Sequence, residues 1–69
     1  MPNSVYKVIE VVGSSPDSWE KAAQMAVDTA AKTIRDLRVA EVEQLDLHVE
    51  NGKVIAFRTK LKLSFKFEG

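Results

Sequence analysis

The chain has 69 residues and no cysteine, and its ten Lys and Arg residues balance ten Asp and Glu residues. A chain of this length holds one domain at most, which we assign to residues 1–69, and neither disulfides nor a thiolate metal cluster can stabilise it. Zero net charge argues against nucleic acids and acidic membranes as partners. No apolar run is long enough to span a membrane, and the first residues do not resemble a signal peptide, so we expect a soluble cytoplasmic protein.

The first predicted element is a strand over residues 5–13, "VYKVIEVVG", because this stretch is β-branched, apolar and closed by glycine. Both of its faces are largely apolar, so we expect both to be covered. The following "GSSP", residues 13–16, predicts a turn that leads into a helix.

The second predicted element is a helix from residue 16 to about residue 36. Ser15 is a suitable N-cap and Pro16 suits the first helical position, while Asp17 and Glu20 favour the positive end of the helix dipole. Apolar residues recur at helical spacing. They are Trp19, Ala23, Ala26, Ala30, Ile34 and Leu37.

A hairpin is predicted around "ENGK", residues 50–53, because Asn-Gly tolerates positive φ. The last strand, residues 54–67, alternates between two faces. One face carries Ile55, Phe57, Thr59, Leu61, Leu63, Phe65 and Phe67, and the other carries Arg58, Lys60, Lys62, Ser64 and Lys66.

The lengths of these elements predict self-association. A strand over residues 54–67 reaches about 45 Å, whereas the predicted helix reaches about 30 Å. One helix cannot cover such a sheet, and a large exposed apolar patch indicates a partner surface. We therefore expect a homo-oligomer.

The strand before the turn contains a break in its alternation. Leu45 and Leu47 are apolar at odd positions, whereas Ala40 and Val42 are apolar at even positions, which predicts a β-bulge near Gln44.

A three-residue loop and this bulge together predict the register of the hairpin. The expected pairs are Leu47 with Phe57, Asp46 with Arg58, Glu43 with Lys60, Val42 with Leu61, Glu41 with Lys62 and Ala40 with Leu63. Val39 then lies on the charged face near Ser64, whereas its neighbour Ala40 faces the core.

Two groups of polar residues are candidate metal ligands. Asp46, His48 and Glu50 share one strand face, but alternate residues lie about 7 Å apart, so ordinary pairing with the basic face is the alternative. Asp17 and Glu20 either complement the helix dipole or contribute to a cation site completed by other copies of the chain. No catalytic constellation, phosphate loop or zinc spacing is present.

Nearly the whole sequence resembles a dodecin, most specifically in "YKVIEVVGSSPDSWEKAA", in "AEV" and in the closing "LKLSFKFEG". The resemblance implies an α+β fold of order β-α-β-β, in which a three-stranded antiparallel sheet partly wraps one long helix. It also implies a hollow homododecamer with two-fold and three-fold contacts, and no enzymatic activity.

Typical dodecins bind flavins (riboflavin, FMN or FAD) in pairs near the two-fold axes, where a tryptophan stacks on the flavin ring and a glutamine on the last strand hydrogen-bonds the edge of the ring. These two positions correspond here to Val39 and Arg58. The resemblance implies a ligand surface at Val39, Ala40, Gln44, His48 and Arg58. Valine offers no flat π-face, and arginine only donates hydrogen bonds, so the flavin-type site is altered.

The "RVA" spelling is similar to that of a calcium-binding branch of the family. It implies Ca²⁺ or Mg²⁺ near Asp17, Glu20 and Asp46. Three functions follow as alternatives: a store or buffer for a small ligand, a divalent-cation binder, or a purely structural oligomer.

Overall fold

The computed structural model describes residues 3–67, which form one sheet and one helix. The elements follow the order β1 (Tyr6–Ser15), α1 (Trp19–Ala31), β2 (Leu37–Glu50) and β3 (Lys53–Lys66). All strand pairs are antiparallel, and β3 lies in the centre in the order β1-β3-β2. The predicted α+β fold is confirmed. Within residues 3–67, no helix combines the length and the apolar character needed to cross a membrane.

The first strand is longer than the sequence predicted. β1 continues to Ser15, which pairs with Phe57, and the expected turn at residues 13–16 is therefore wrong. Gly13 permits this extension because the helix passes so close that any β-carbon there would overlap the carbonyl oxygen of Ala22.

The predicted start of the helix is also wrong, because Ser15 stabilises the preceding turn and a different serine caps the helix. The Ser15 hydroxyl accepts a hydrogen bond from the Asp17 backbone N–H, which tightens the turn. Ser18 is the actual N-cap, and its hydroxyl accepts from the backbone N–H of Lys21. The helix therefore begins at Trp19, three residues later than expected.

The helix ends at Ala31, about five residues earlier than predicted. The backbone N–H groups of Lys32 and Thr33 donate to the carbonyls of Thr29 and Ala30, which tightens the last turn. Asp36 then adopts a positive φ of 57°, which reverses the chain into β2. A helix of 13 residues spans only about 20 Å.

The hairpin turn has two residues and not the three that were predicted. Asn51 and Gly52 both have positive φ, and Glu50 pairs with Lys53. The register beyond the turn is nevertheless as expected, because Ile55 forms an additional bulge in β3. Asp46 consequently lies opposite Arg58.

The predicted bulge in β2 is present, with Glu43 as the extra residue. Val42 pairs with Leu61 and Gln44 pairs with Lys60, so the expected pairing of Glu43 with Lys60 is wrong. Val39 lies opposite Ser64, as the sequence predicted, and a further bulge at Arg38 brings Leu37 opposite Phe65.

The core lies where α1 covers β1 and β3. Ala22, Leu61 and Leu63 are at most 2% exposed, and Thr59 beside them donates a hydrogen bond from its hydroxyl to the carbonyl of Trp19. The predicted apolar stripe of the helix missed Ala22, its buried residue. Trp19 packs edge-on against Phe57 and donates its indole N–H to the carbonyl of Asp46.

The far half of the hairpin extends beyond the helix, in a molecule 52 Å long. Five apolar side chains there are 41–53% exposed, and we call them the hairpin patch: Leu45, Leu47, Val49, Val54 and Ile55. In the described chain, Val8 and Val12 of β1 are about half exposed as well, so the chain alone does not cover both faces of β1.

Candidate ligand-binding face

The sheet face turned away from the helix carries most of the charged side chains, and we call it the polar face. Its central row comes from β3, with neighbours from both outer strands set by the register. The central row is Ala56, Arg58, Lys60, Lys62, Ser64 and Lys66, flanked by Tyr6, Val8, Glu10, Val12 and Ser14 on β1 and by Val39, Glu41, Glu43, Gln44, Asp46 and His48 on β2.

The shortest ion pair on the polar face joins Arg58 to Asp46. Arg58 Nε donates to Asp46 Oδ1 at 2.7 Å, and Arg58 Nη2 donates to Oδ2 at 2.9 Å. Both residues are partly exposed, so solvent screens the pair. The hydrogen bonds from Arg58 lower the pKa of Asp46, and the same contacts raise the pKa of Arg58. The pair is geometrically a fork of two parallel bonds.

A second set of ion pairs connects all three strands. The Glu43 carboxylate lies 3.1 Å from Lys62 Nζ and 3.5 Å from Lys60 Nζ, and Lys60 Nζ also lies 3.6 Å from the carboxylate of Glu10. The hydrogen bond from Lys62 lowers the pKa of Glu43, and the contact raises that of Lys62. The bulge thus aims the extra carboxylate at two lysines.

Only three of the five predicted ligand residues come together. Gln44 and His48 flank Asp46 on β2, opposite Lys60 and Ala56, and Arg58 lies across from Asp46. Val39 is on the same face but opposite Ser64, which is six residues from Arg58 along β3 and hence about 20 Å away. Ala40 pairs with the buried Leu63 and belongs to the opposite face.

The arrangement at Val39 does not fit a stacked flavin. Val39 and Val8 lie on either side of Ser64, so the Val39 position itself offers an aliphatic side chain, while an exposed ring on this face, that of Tyr6, lies two residues from Val8 on β1. The guanidinium at Arg58 can donate to carbonyl oxygens but cannot accept a hydrogen bond from a ring N–H. Val39 and Arg58 of one chain, about 20 Å apart, therefore do not hold one flavin ring between them.

The three candidate metal ligands lie apart from one another. Asp17 precedes the helix cap and lies 3.5 Å from Lys21 Nζ, and Glu20 is in the first helical turn. Asp46 is on the polar face, where both of its carboxylate oxygens accept from Arg58. Across residues 3–67, no three acidic or histidine side chains are grouped closely enough to hold a common ion.

Two features of this face were not recognised from the sequence. Glu43 was expected to pair simply across the strand, yet as a bulge residue it contacts Lys60 and Lys62 together. The signal was the pair of successive polar residues at 43–44. Ala56, a small residue between Arg58 and the hairpin turn, lies opposite His48 and was not assigned to this face from the sequence.

The fold defines the class of protein: a small β-α-β-β protein with one short helix on a long antiparallel sheet. The family model described as Dodecin matches residues 5–68, and the chain belongs to the dodecin family.

Two relatives extend this result. The chain is 49% identical over 63 residues to the calcium dodecin of Mycobacterium tuberculosis, covering 91% of this chain and 89% of that protein. A crystal structure of that calcium dodecin, described as having a novel calcium-binding site, matches with a TM-score of 0.83 and covers 94% of this chain and 93% of that one. The dodecin of Streptomyces coelicolor matches with a TM-score of 0.91 at 42% identity, over 100% of this chain and 99% of that one.

Proposed function

We propose that this protein is a non-enzymatic dodecin that assembles into a hollow homododecamer and binds, stores or buffers a small ligand in the cytoplasm. Membership of the dodecin family supports the proposal. The observation that carries it is the hairpin patch, in which five apolar side chains are 41–53% exposed beyond the end of the helix.

The hairpin patch supports self-association for an energetic reason. A folded chain of 69 residues has a small core, and burying apolar surface contributes about 25 cal/mol per Å². Covering the patch with other copies supplies burial that the helix of the same chain is too short to provide. Val8 and Val12 add a second exposed apolar region on the polar face of β1.

The ligand of the proposed store lies against the polar face, at contacts between copies. The flavin-type site of the family is altered at Val39 and Arg58, so its stacking position carries an aliphatic side chain and its glutamine position carries a hydrogen-bond donor. Val39 and Arg58 are about 20 Å apart along the sheet of one chain, which favours a small ligand that contacts these residues from two copies.

Light scattering of the purified protein tests the assembly. We expect a particle of twelve 7.7-kDa chains. Leu47→Asp places a charge in the hairpin patch and should reduce the particle to smaller species. Leu47→Ile keeps an apolar side chain of the same size at this position and should leave the particle mass unchanged. A monomeric wild-type protein would contradict the proposal.

Titration of the intact assembly with riboflavin tests the ligand. Fluorescence quenching in the micromolar range would support a flavin as the stored compound. An absence of quenching, with calcium present and absent, would exclude flavin and leave another small molecule or one of the two alternatives.

A divalent-cation-binding dodecin is the first alternative, and its support is the 49% identity to a calcium dodecin. In this alternative Asp17, Glu20 or Asp46 contributes to ions at contacts between copies. Calcium should then raise the melting temperature of the assembly and EDTA should lower it, whereas magnesium separates a specific calcium site from a general divalent one. The second alternative, a purely structural oligomer, requires that neither flavin nor cation changes the melting temperature.

A further inference from the structure

The Arg58 guanidinium is held in one orientation by Asp46. A guanidinium has five N–H donors, and the Asp46 carboxylate accepts from two of them, at 2.7 and 2.9 Å. The remaining three, two on Nη1 and one on Nη2, have no hydrogen-bond partner within residues 3–67, and the side chain is partly exposed. A planar group fixed by two parallel bonds loses little further freedom when it donates a third.

The same contact neutralises the charge of Arg58. The two hydrogen bonds lower the pKa of Asp46 and raise that of Arg58, so both groups are ionised at neutral pH. An anion that approaches the guanidinium therefore also approaches the Asp46 carboxylate, with its full negative charge. Repulsion from Asp46 offsets the attraction by Arg58, whereas a neutral carbonyl oxygen gains the hydrogen bond without that repulsion.

The groups around the pair extend this donor surface without adding uncompensated positive charge. Ala56, a small residue, is the neighbour of Arg58 on the side towards the hairpin turn, and His48 lies across from Ala56. On the other side, Lys60 is within 3.6 Å of carboxylates of both Glu10 and Glu43.

We infer that Asp46 converts Arg58 into an oriented, charge-neutralised hydrogen-bond donor, so that this part of the polar face selects neutral ligands with carbonyl acceptors and rejects phosphate-bearing ones. The inference rests on the proposed function, in that the polar face takes a small ligand. It goes beyond that function because it states the chemical class of the ligand and assigns specificity to Asp46, which does not itself need to touch the ligand.

The charge part of the inference is tested with inorganic phosphate, by following the side-chain N–H signals of Arg58 by NMR in the intact assembly. The chain has three arginines, so Arg58→Lys identifies the signals. Phosphate should barely shift them in the wild-type protein and should shift them at least threefold more in Asp46→Asn. Asp36→Asn is the matched control, because Asp36 lies 3.7 Å from Arg38 in a separate pair; it should behave as wild type at Arg58.

The ligand part is tested with riboflavin and FMN, which carry the same ring and differ by a phosphate. Riboflavin should shift the Arg58 signals of the wild-type protein, with FMN binding no tighter than riboflavin. Asp46→Asn should increase the affinity for FMN, relative to the affinity for riboflavin, at least tenfold.

Each outcome decides one statement. Equal phosphate shifts in wild type and Asp46→Asn would overturn the neutralisation of Arg58, and so would a wild-type preference for FMN that salt abolishes. Arg58 signals that do not move with riboflavin would overturn the selection of carbonyl ligands. A further outcome is that the protein quenches the fluorescence of neither riboflavin nor FMN while phosphate still shifts the Arg58 signals more in Asp46→Asn than in the wild type. In that case the flavin version of the proposed function fails, and the role of Asp46 in rejecting anions is supported.

Discussion

The two halves of the sheet differ in what the chain provides to cover them. Under the helix, Leu61 and Leu63 are at most 2% exposed, and Gly13 lets the helix lie directly on β1. Towards the hairpin turn, Leu47 and its apolar neighbours on the same face are 41–53% exposed. One alternating pattern of apolar and polar residues runs through both halves of β3. The pattern alone therefore does not distinguish residues buried in the core of one chain from apolar residues that this chain leaves exposed.

The two halves differ because the helix is much shorter than the sheet and can bury only part of it. The helix of 13 residues covers about 20 Å of a molecule that is 52 Å long. The covered half is stabilised within one chain, whereas in the proposed assembly other copies cover the hairpin half.

Leu63→Ala and Leu47→Ala remove the same atoms from the two halves. Leu63 is fully buried, so its truncation should lower the free energy of unfolding by roughly 2–5 kcal/mol. Leu47 is 44% exposed in the chain, and its truncation should cost about 1 kcal/mol within the chain while weakening assembly. Urea unfolding and particle mass separate the effects, and equal losses of chain stability would contradict the comparison.

Gly13→Ala and Gly52→Ala make the same change in the covered half and at the hairpin turn. A methyl group at Gly13 overlaps the carbonyl of Ala22, which should cost roughly 3 kcal/mol because the helix must move away from β1. Gly52 has open space around its missing β-carbon but a φ of 74°, so alanine should cost only about 1 kcal/mol of backbone strain. Thermal unfolding of both variants checks the order, which a larger loss in Gly52→Ala would reverse.

Deletion of Glu43 should be tolerated although it shortens a central part of β2. Val42 would still pair with Leu61 and Gln44 with Lys60, so the bulge disappears and both faces are kept. Deletion of Val42 is the control, since it leaves three polar residues in succession and prevents alternation. We expect a smaller fall in melting temperature for the Glu43 deletion, and equal falls would show that the bulge itself is required.

The ion pairs of the polar face should make the melting temperature fall slightly at acid pH. The folded state lowers the pKa values of Glu43 and Asp46 below their ordinary values of 4.5 and 3.8. Their contribution is thus complete above those values and is lost as the pH falls through the lower folded pKa values, because the unfolded chain binds protons first. Glu43→Gln and Asp46→Asn should flatten the decline of melting temperature below pH 4.5, and an unchanged slope would contradict this.

The elements and most of the register were predictable, because hydrophobic phase and turn chemistry are local properties. The order β-α-β-β, the pairing of Asp46 with Arg58 and that of Val39 with Ser64 all follow from alternation and the Asn-Gly turn. Two of the three bulges coincide with two neighbouring residues of the same character, Glu43 before Gln44 and Val54 before Ile55, whereas the sequence does not mark the bulge at Arg38 in this way. The number of residues in the hairpin loop was wrong because a two-residue turn with a bulge produces the same register as a three-residue loop.

The helix ends were not predictable to the residue. Ser15 and Ser18 are both good N-caps, and the choice of Ser18 depends on β1 continuing to Ser15 beside Phe57. Likewise, the chain reversal at Asp36 requires a positive φ that the sequence pattern does not mark. Contacts with the sheet decide both ends, so local propensity gave a helix that was too long.

The sequence by itself determined the fold family, the two faces of the sheet and the apolar surface that one helix cannot cover, because these depend on residue type and spacing. Only the tertiary structure decided how the Glu43 carboxylate is used, because as the extra residue of the bulge it contacts Lys60 and Lys62 together. It also decided that Asp46 contacts Arg58 through both oxygens, since two parallel hydrogen bonds require a geometry that register alone does not specify.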